Sequence, residues 1–135
     1  GIEPKVALVS HSNFGSDDTS ATRKMRDAVK MLKARAPELE VDGEMHGDSA
    51  LNTTMRERTM PQSTLKGEAN LLVFPNIDAA NITLNVVKEM TGALHVGPIL
   101  LGVSSPAHVM TPSVTSRGVV NMAAIATAQA VQLSD

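Results

Sequence analysis

Short apolar runs alternate with stretches of helical periodicity along this chain, and that alternation leaves few architectures open. Val6-Ala7-Leu8-Val9 reads as a buried strand. Asn70-Leu71-Leu72-Val73-Phe74-Pro75 is the strongest strand signal, apolar on both faces as central parallel strands are. Leu39-Glu40-Val41-Asp42-Gly43 alternates and predicts a second strand, and Val96 to Val103 predicts another buried one, broken by Gly97-Pro98. Between the first two strands a long helix starts near Asp17, with Asp17 and Asp18 at its positive end. It carries Met25, Val29 and Leu32 on one face, Lys30, Lys33 and Arg35 in its later turns, and Pro37 at its close. Ser49 to Arg58 predicts a short helix. Asp78 caps a helix whose inward positions are Ile82, Val86 and Met90, with Gly92 just beyond its end. Val119 to Val131 is an Ala-rich helix that should dock closely on a neighbour. The expected class is α/β, a largely parallel sheet sandwiched by helices, with ligands at the carboxyl ends of the strands.

Composition narrows the function classes. Two Phe and no Tyr or Trp leave the core to Val, Leu, Ile, Ala and eight Met. Twelve basic residues face 14 acidic ones, with no basic stripe and no aromatic platform, which argues against a nucleic-acid partner. No apolar run is long enough to span a bilayer, so no membrane partner is expected. The absence of cysteine excludes disulfides, thiolate metal sites and a Cys nucleophile. With no targeting segment in view, the cytoplasm is the default expectation.

Three places could carry chemistry. The loop Ser10-His11-Ser12-Asn13-Phe14-Gly15-Ser16 joins a strand to a helix start, where hydroxyls and free N–H groups suit an anion. It lacks the Gly-Lys-Ser/Thr of a P-loop, and an ordinary loop with a helix cap is the plainer reading. Asp42-Gly43-Glu44-Met45-His46-Gly47-Asp48 gathers three carboxylates and one His in seven residues. Its spacing fits neither a calcium loop nor a zinc motif, so a strand end, a turn and a helix cap by Asp48 are expected instead. Arg117 follows Ser113, Thr115 and Ser116, and is either a phosphate grip or a solvated arginine. Of the four His, His11 and His108 sit in loops that could share a cleft, and His95 is expected to be structural.

Taken in order, these segments resemble the C-terminal portion of the phosphate acetyltransferase/butyryltransferase family. The family's Ser-x-Ser-x-x-Gly-Ser loop is Ser10 to Ser16 here. Its Asp-Gly-Glu-x-Gln-x-Asp-x-Ala-Leu stretch is Asp42 to Leu51, with His46 in place of Gln. Pro61, Ser63, Gly67, Ala69-Asn70, Phe74-Pro75, Asn81-Ile82, Gly97-Pro98-Ile99 and Pro106 match in sequence. The resemblance breaks where active members carry a Ser-Arg pair and then an Asp base. Anchored on Pro106 and Val119-Val120-Asn121, Thr111 stands at the Ser, Pro112 at the catalytic Arg and Gly118 at the Asp. Pro cannot stabilise an oxyanion and Gly cannot accept a thiol proton.

That departure is similar to the C-terminal domain of bacterial hybrid malic enzymes. The resemblance implies that residues 1–135 are the C-terminal lobe of a phosphate acetyltransferase-like domain in a longer chain, with an isocitrate/isopropylmalate dehydrogenase-like fold. It implies no catalytic residue here, acetyl-CoA (or another acyl-CoA) as an allosteric effector, and a homo-oligomer of at least two chains. NADP, the divalent metal and malate decarboxylation belong to an upstream domain on this reading. The implied ligand contacts are Ser10, Ser12, Gly15 and Ser16, faced by Gly97, Pro98, Thr111, Ser113, Arg117 and Asn121. Two alternatives stand beside it: an active phosphate acyltransferase, and a purely structural dimerisation lobe that binds nothing.

Overall fold

The computed structural model describes residues 1–133. The elements run β1 (Lys5–Val9), α1 (Ser20–Arg35), β2 (Glu40–Met45), α2 (Gly47–Leu51), α3 (Thr53–Thr59), β3 (Leu71–Val73), α4 (Ile77–Thr91) and α5 (Ser116–Gln132). The chain divides into two units, Gly1–Val86 and a second beginning at Val87, so α4 runs across the boundary.

The first unit is the expected parallel α/β arrangement. Its sheet has the order β2-β1-β3, and both pairings are parallel. Successive side chains of a strand point to opposite faces, and β1 shows the result directly. Val6 and Leu8 pack with Met25, Val29 and Val41 on one face, while Ala7 and Val9 pack with Met45, Ala50, Met60, Leu65 and Ala69 on the other. The four apolar residues of β1 are therefore covered on both sides, by α1 on the first face and by α2 with the connector 60–69 on the second.

Several boundaries differ from the sequence reading, each for a local reason. Helix α1 begins at Ser20, not near Asp17. Thr19 is extended and caps it, its side chain accepting from Thr22 N–H while the Thr22 side chain accepts from Thr19 N–H. This reciprocal box satisfies two end donors without a carboxylate. Asp17 and Asp18 stay in the preceding turn. The helix expected over 49–58 is two helices, because Asn52 ends α2 and caps α3 with its side chain, accepting from Met55 N–H at 2.9 Å. His46, not Asp48, occupies the N-cap of α2, and Asp48 lies in the first turn.

The larger corrections concern the second half. β3 is only three residues long and lies at the sheet edge, with Leu71 and Val73 exposed; β1 is the central strand. The run 96–103 forms no strand. Gly97 and Gly102 have positive φ and Pro98 has no N–H to give, so the ladder has nothing regular to build on. Helix α4 forms as predicted, but Asn76, whose side chain accepts from Ala79 N–H at 2.9 Å, caps it in place of Asp78. Its expected inward residues Ile82, Val86 and Met90 are 64, 49 and 81% exposed. Helix α5 starts at Ser116 behind a Thr115 cap and buries only Met122. No described helix is long and apolar enough to cross a membrane.

Candidate ligand site

The β1–α1 loop lies at the carboxyl end of the central strand. Ser10 N–H donates to Met45 O and Phe14 N–H to Glu44 O, both at 2.8 Å, which lays the loop across the end of β2. Its apex is a pair of left-handed residues, Phe14 at φ 46° and Gly15 at φ 85°. Such a turn is unfavourable for a bulky residue and persists only where surrounding contacts fix it.

Those contacts come from Glu44. Its side chain is fully buried, and Oε1 accepts from the Ser12 hydroxyl at 2.8 Å, Gly15 N–H at 2.8 Å and Arg26 Nη1 at 2.9 Å. Arg26 also pairs with Asp18, and Asp18 with Arg23 at 2.8 Å. The Arg23 hydrogen bond, helped by its charge and by Arg26, holds the Asp18 carboxyl below its usual range. Desolvation pulls the Arg26 guanidinium down, but its bonds to Glu44 and Asp18 outweigh that and raise it further. His11 Nε2 meets Asp17 at 2.8 Å, and His46 Nε2 meets the His11 carbonyl at 2.9 Å.

Of the loop residues singled out in the sequence, Ser12 is fully buried beneath the loop, Gly15 spends its N–H on Glu44, Ser10 is half-buried and Ser16 is exposed. Ser16 Oγ accepts from Asn13 N–H at 3.0 Å. No spacing rule in the sequence gives Glu44 this role, because its three partners lie 18 to 32 residues away.

The remaining predicted contacts lie in the second unit. Thr111 and Ser113 hydroxyls meet at 3.1 Å. Arg117 and Asn121 sit one turn apart on α5, Arg117 exposed and Asn121 half-buried. Gly97 and Pro98 lie in the irregular stretch before it. Gly118 N–H donates to the Thr115 cap at 3.1 Å, and a Cβ at Gly118 would stand 2.8 Å from Val114 Cγ2. Any side chain at this position must displace that methyl. His11 falls in the first unit and His108 in the second, where Leu100 N–H donates to His108 Nδ1 at 3.2 Å and His108 Nε2 meets Gln129 at 2.8 Å.

The acidic stretch 42–48 serves two separate sets of partners. Asp42, buried, accepts from Ser63 Oγ at 2.8 Å, Thr64 N–H at 2.7 Å and Lys33 Nζ at 3.2 Å. Glu44 reaches the loop. No cluster of metal-ligating side chains exists among the described residues. Burial tends to raise the Asp42 pKa, but the Thr64 and Ser63 bonds and the Lys33 charge outweigh it and leave it lowered. A carboxylate with a depressed folded pKa adds stability above its unfolded pKa and loses it as pH falls through the folded one. Urea midpoints should therefore drop steeply below about pH 4. Asp42→Asn should be less stable at neutral pH and flatten that acid limb; an unchanged limb would remove Asp42 as its source.

Known proteins of two kinds are similar to this chain. The NAD-dependent malic enzyme of Rhizobium meliloti is 69% identical over 126 residues, covering 93% of this chain and 16% of that protein. The NADP-dependent malic enzyme of Escherichia coli is 52% identical, over 96% of this chain and 17% of its own length. The phosphate acetyltransferase of Bacillus subtilis is 40% identical over 96% of this chain and 40% of its length. The chain thus spans about a sixth of the malic enzymes it matches. Among solved structures, a Streptococcus pyogenes phosphotransacetylase superposes with a TM-score of 0.91 at 30% identity, covering 97% of this chain and 40% of that one. The EutD phosphotransacetylase from Staphylococcus aureus gives 0.87 at 35% identity, covering 96% and 40%. The phosphate acetyl/butaryl transferase family profile matches residues 1–127, and the chain belongs to that family.

Proposed function

We propose that this chain is a non-catalytic regulatory lobe of a malic enzyme, binding acetyl-CoA as an effector and contributing to assembly of at least a dimer. The reading rests on the pair Pro112 and Gly118, which stand where the family resemblance implies an Arg and an Asp in active members. The surroundings of Gly118 support it, because a carboxylate side chain there would collide with Val114 as the helix start is now packed. The higher identity to malic enzymes than to a phosphate acetyltransferase supports the parent assignment.

A site that keeps ligand contacts while lacking its base and its arginine binds without turning over. Inhibition then needs only different affinities for acetyl-CoA in two states of the parent enzyme. Malate, the nicotinamide nucleotide and the divalent metal belong on this reading to the rest of the parent chain. The similar malic enzymes carry both NAD and NADP names, so both nucleotides should be assayed.

The test is malate oxidation by the full parent protein, with each nucleotide, as acetyl-CoA is added. Turnover should fall severalfold at saturating acetyl-CoA, and acetyl transfer from acetyl phosphate to coenzyme A should stay at background. Turnover indifferent to acyl-CoAs would favour the structural lobe. Robust acetyl transfer would overturn the argument from Pro112 and Gly118.

A further inference from the structure

Glu44 is one of two fully enclosed charged side chains among the described residues, the other being Arg56. A buried carboxylate is retained at a desolvation penalty that good partners must offset. The partners of Glu44 are unusually concentrated: all of its bonds fall on Oε1, and Oε2 is buried with none.

What those bonds hold is the whole β1–α1 loop. Ser12 is near its start, Gly15 is its apex, and Arg26 reaches the Asp17 carbonyl and the Asp18 carboxylate at its end. Ser12 has one hydroxyl proton. The 2.8 Å contact gives that proton to Glu44, and the hydroxyl then accepts from Asp17 N–H at 3.1 Å. One carboxylate from β2 therefore fixes both limbs of the turn and its left-handed apex. It also takes from below the two donors, the Ser12 hydroxyl and Gly15 N–H, that would otherwise cradle a ligand anion.

We propose that Glu44 is the positioning residue of this loop: it acts as an internal anion that spends the Ser12 and Gly15 donors, so that ligand contact at the loop passes to the exposed Ser16 and the half-buried Ser10. The ligand part of the proposal rests on the acetyl-CoA reading above; the loop-ordering part does not. With the anion place already filled by Glu44, and with Arg23 and Arg26 already engaged by Asp18 and Glu44, the loop suits the uncharged amide arm of an acyl-CoA better than its phosphates.

Two measurements on the full parent protein test this. Hydrogen exchange, read by mass spectrometry on peptides covering 10–18, should accelerate at least tenfold in Glu44→Ala, with peptides of β1 and α1 unchanged. Glu44→Gln keeps an acceptor for Ser12 and Gly15 and should restore most of the protection. The acetyl-CoA Kd from titration calorimetry should rise at least tenfold in Glu44→Ala and recover in Glu44→Gln, while inhibition at saturating acetyl-CoA stays as deep as in wild type. A simple structural defect would lower that ceiling as well. Inorganic phosphate at millimolar concentration should leave wild-type exchange at 10–18 unaltered; protection by phosphate would overturn the internal-anion assignment. If Glu44→Ala does not fold, Ser12→Ala removes one spoke and should give a smaller acceleration over the same segment. Wild-type exchange and affinity in the variants would overturn the positioning role. A wild-type protein blind to acetyl-CoA with a Glu44-dependent loop would instead sink the effector reading alone.

Discussion

Arg56→Ala should destabilise the first unit by about 3–5 kcal/mol, from a cavity in the core and buried carbonyls left without a donor together. Arg56 is fully buried and has no carboxylate partner among the described residues. Its acceptors are all backbone carbonyls. Nη1 donates to Ser49 O at 2.9 Å and Ala50 O at 3.4 Å, and Nη2 donates to Leu65 O at 3.1 Å and to Gly67 O. Ser49 and Ala50 lie in the last turn of α2, where carbonyls find no donor within the helix, although Ala50 O also accepts from Ala69 N–H at 2.9 Å. Leu65 and Gly67 lie in the connector that leads to β3. The guanidinium thus caps a short helix from inside and pins the connector to it, with its charge set against the carbonyl end of α2. Removing it opens a cavity and orphans several carbonyls together.

The substitution series discriminates this from an ordinary buried ion pair. A buried pair can often be replaced by apolar residues without loss. Arg56→Met should recover little here, because the acceptors belong to the main chain and cannot be substituted away. Arg56→Lys should fall between, since one ammonium cannot fork toward both α2 and the connector. Urea denaturation followed by circular dichroism gives the ranking. An Arg56→Met protein as stable as wild type would refute the capping account.

How far the sequence foretells such features depends on how local their causes are. β1 is legible because four consecutive apolar residues need cover on both faces, and they receive it. Helix α1 is legible through Met25 and Val29, but its start is not, because the Thr19–Thr22 box satisfies the end donors as well as the more conspicuous Asp17 and Asp18. The run 96–103 misleads because apolar content alone does not make a strand. Gly97, Pro98 and Gly102 remove the regular backbone and a donor that a ladder requires. In α4 the apolar periodicity is real, yet Ile82, Val86 and Met90 remain open to solvent. Amphipathic spacing states which face seeks a partner, not that the described residues supply one. The β1–α1 loop stands out in the sequence by its position after β1 and its hydroxyls. The role of Glu44 within it is a property of tertiary contacts, and so is the buried Arg56, which a sequence reading places on a helix surface by type alone.

Gly43→Ala should be nearly as damaging, costing about 2–5 kcal/mol from collision and backbone strain together. Gly43 lies opposite Leu8 in the parallel pairing of β1 with β2, beside the register shift between Leu8 and Val9. Its φ is +138°, and an added Cβ would stand 2.5 Å from the Leu8 carbonyl oxygen and 3.2 Å from Leu8 Cβ. That oxygen belongs to the central strand, packed on both faces, so neither side can yield cheaply. The natural control is Gly47→Ala, four residues on. Nothing lies within 4 Å of a Cβ there, and the residue opens α2. Alanine should be neutral to stabilising by about 0.5–1 kcal/mol at that site. Opposite signs for one chemical change at the two positions would identify close backbone approach as the cause; equal effects would rule it out. The Gly43 variant carries a second readout. Glu44 follows directly, and its carbonyl holds Phe14 N–H while its carboxylate holds Ser12 and Gly15. Any shift of β2 that makes room for the methyl therefore reaches the β1–α1 loop. Exchange at 10–18 should accelerate even under conditions where the sheet itself stays folded.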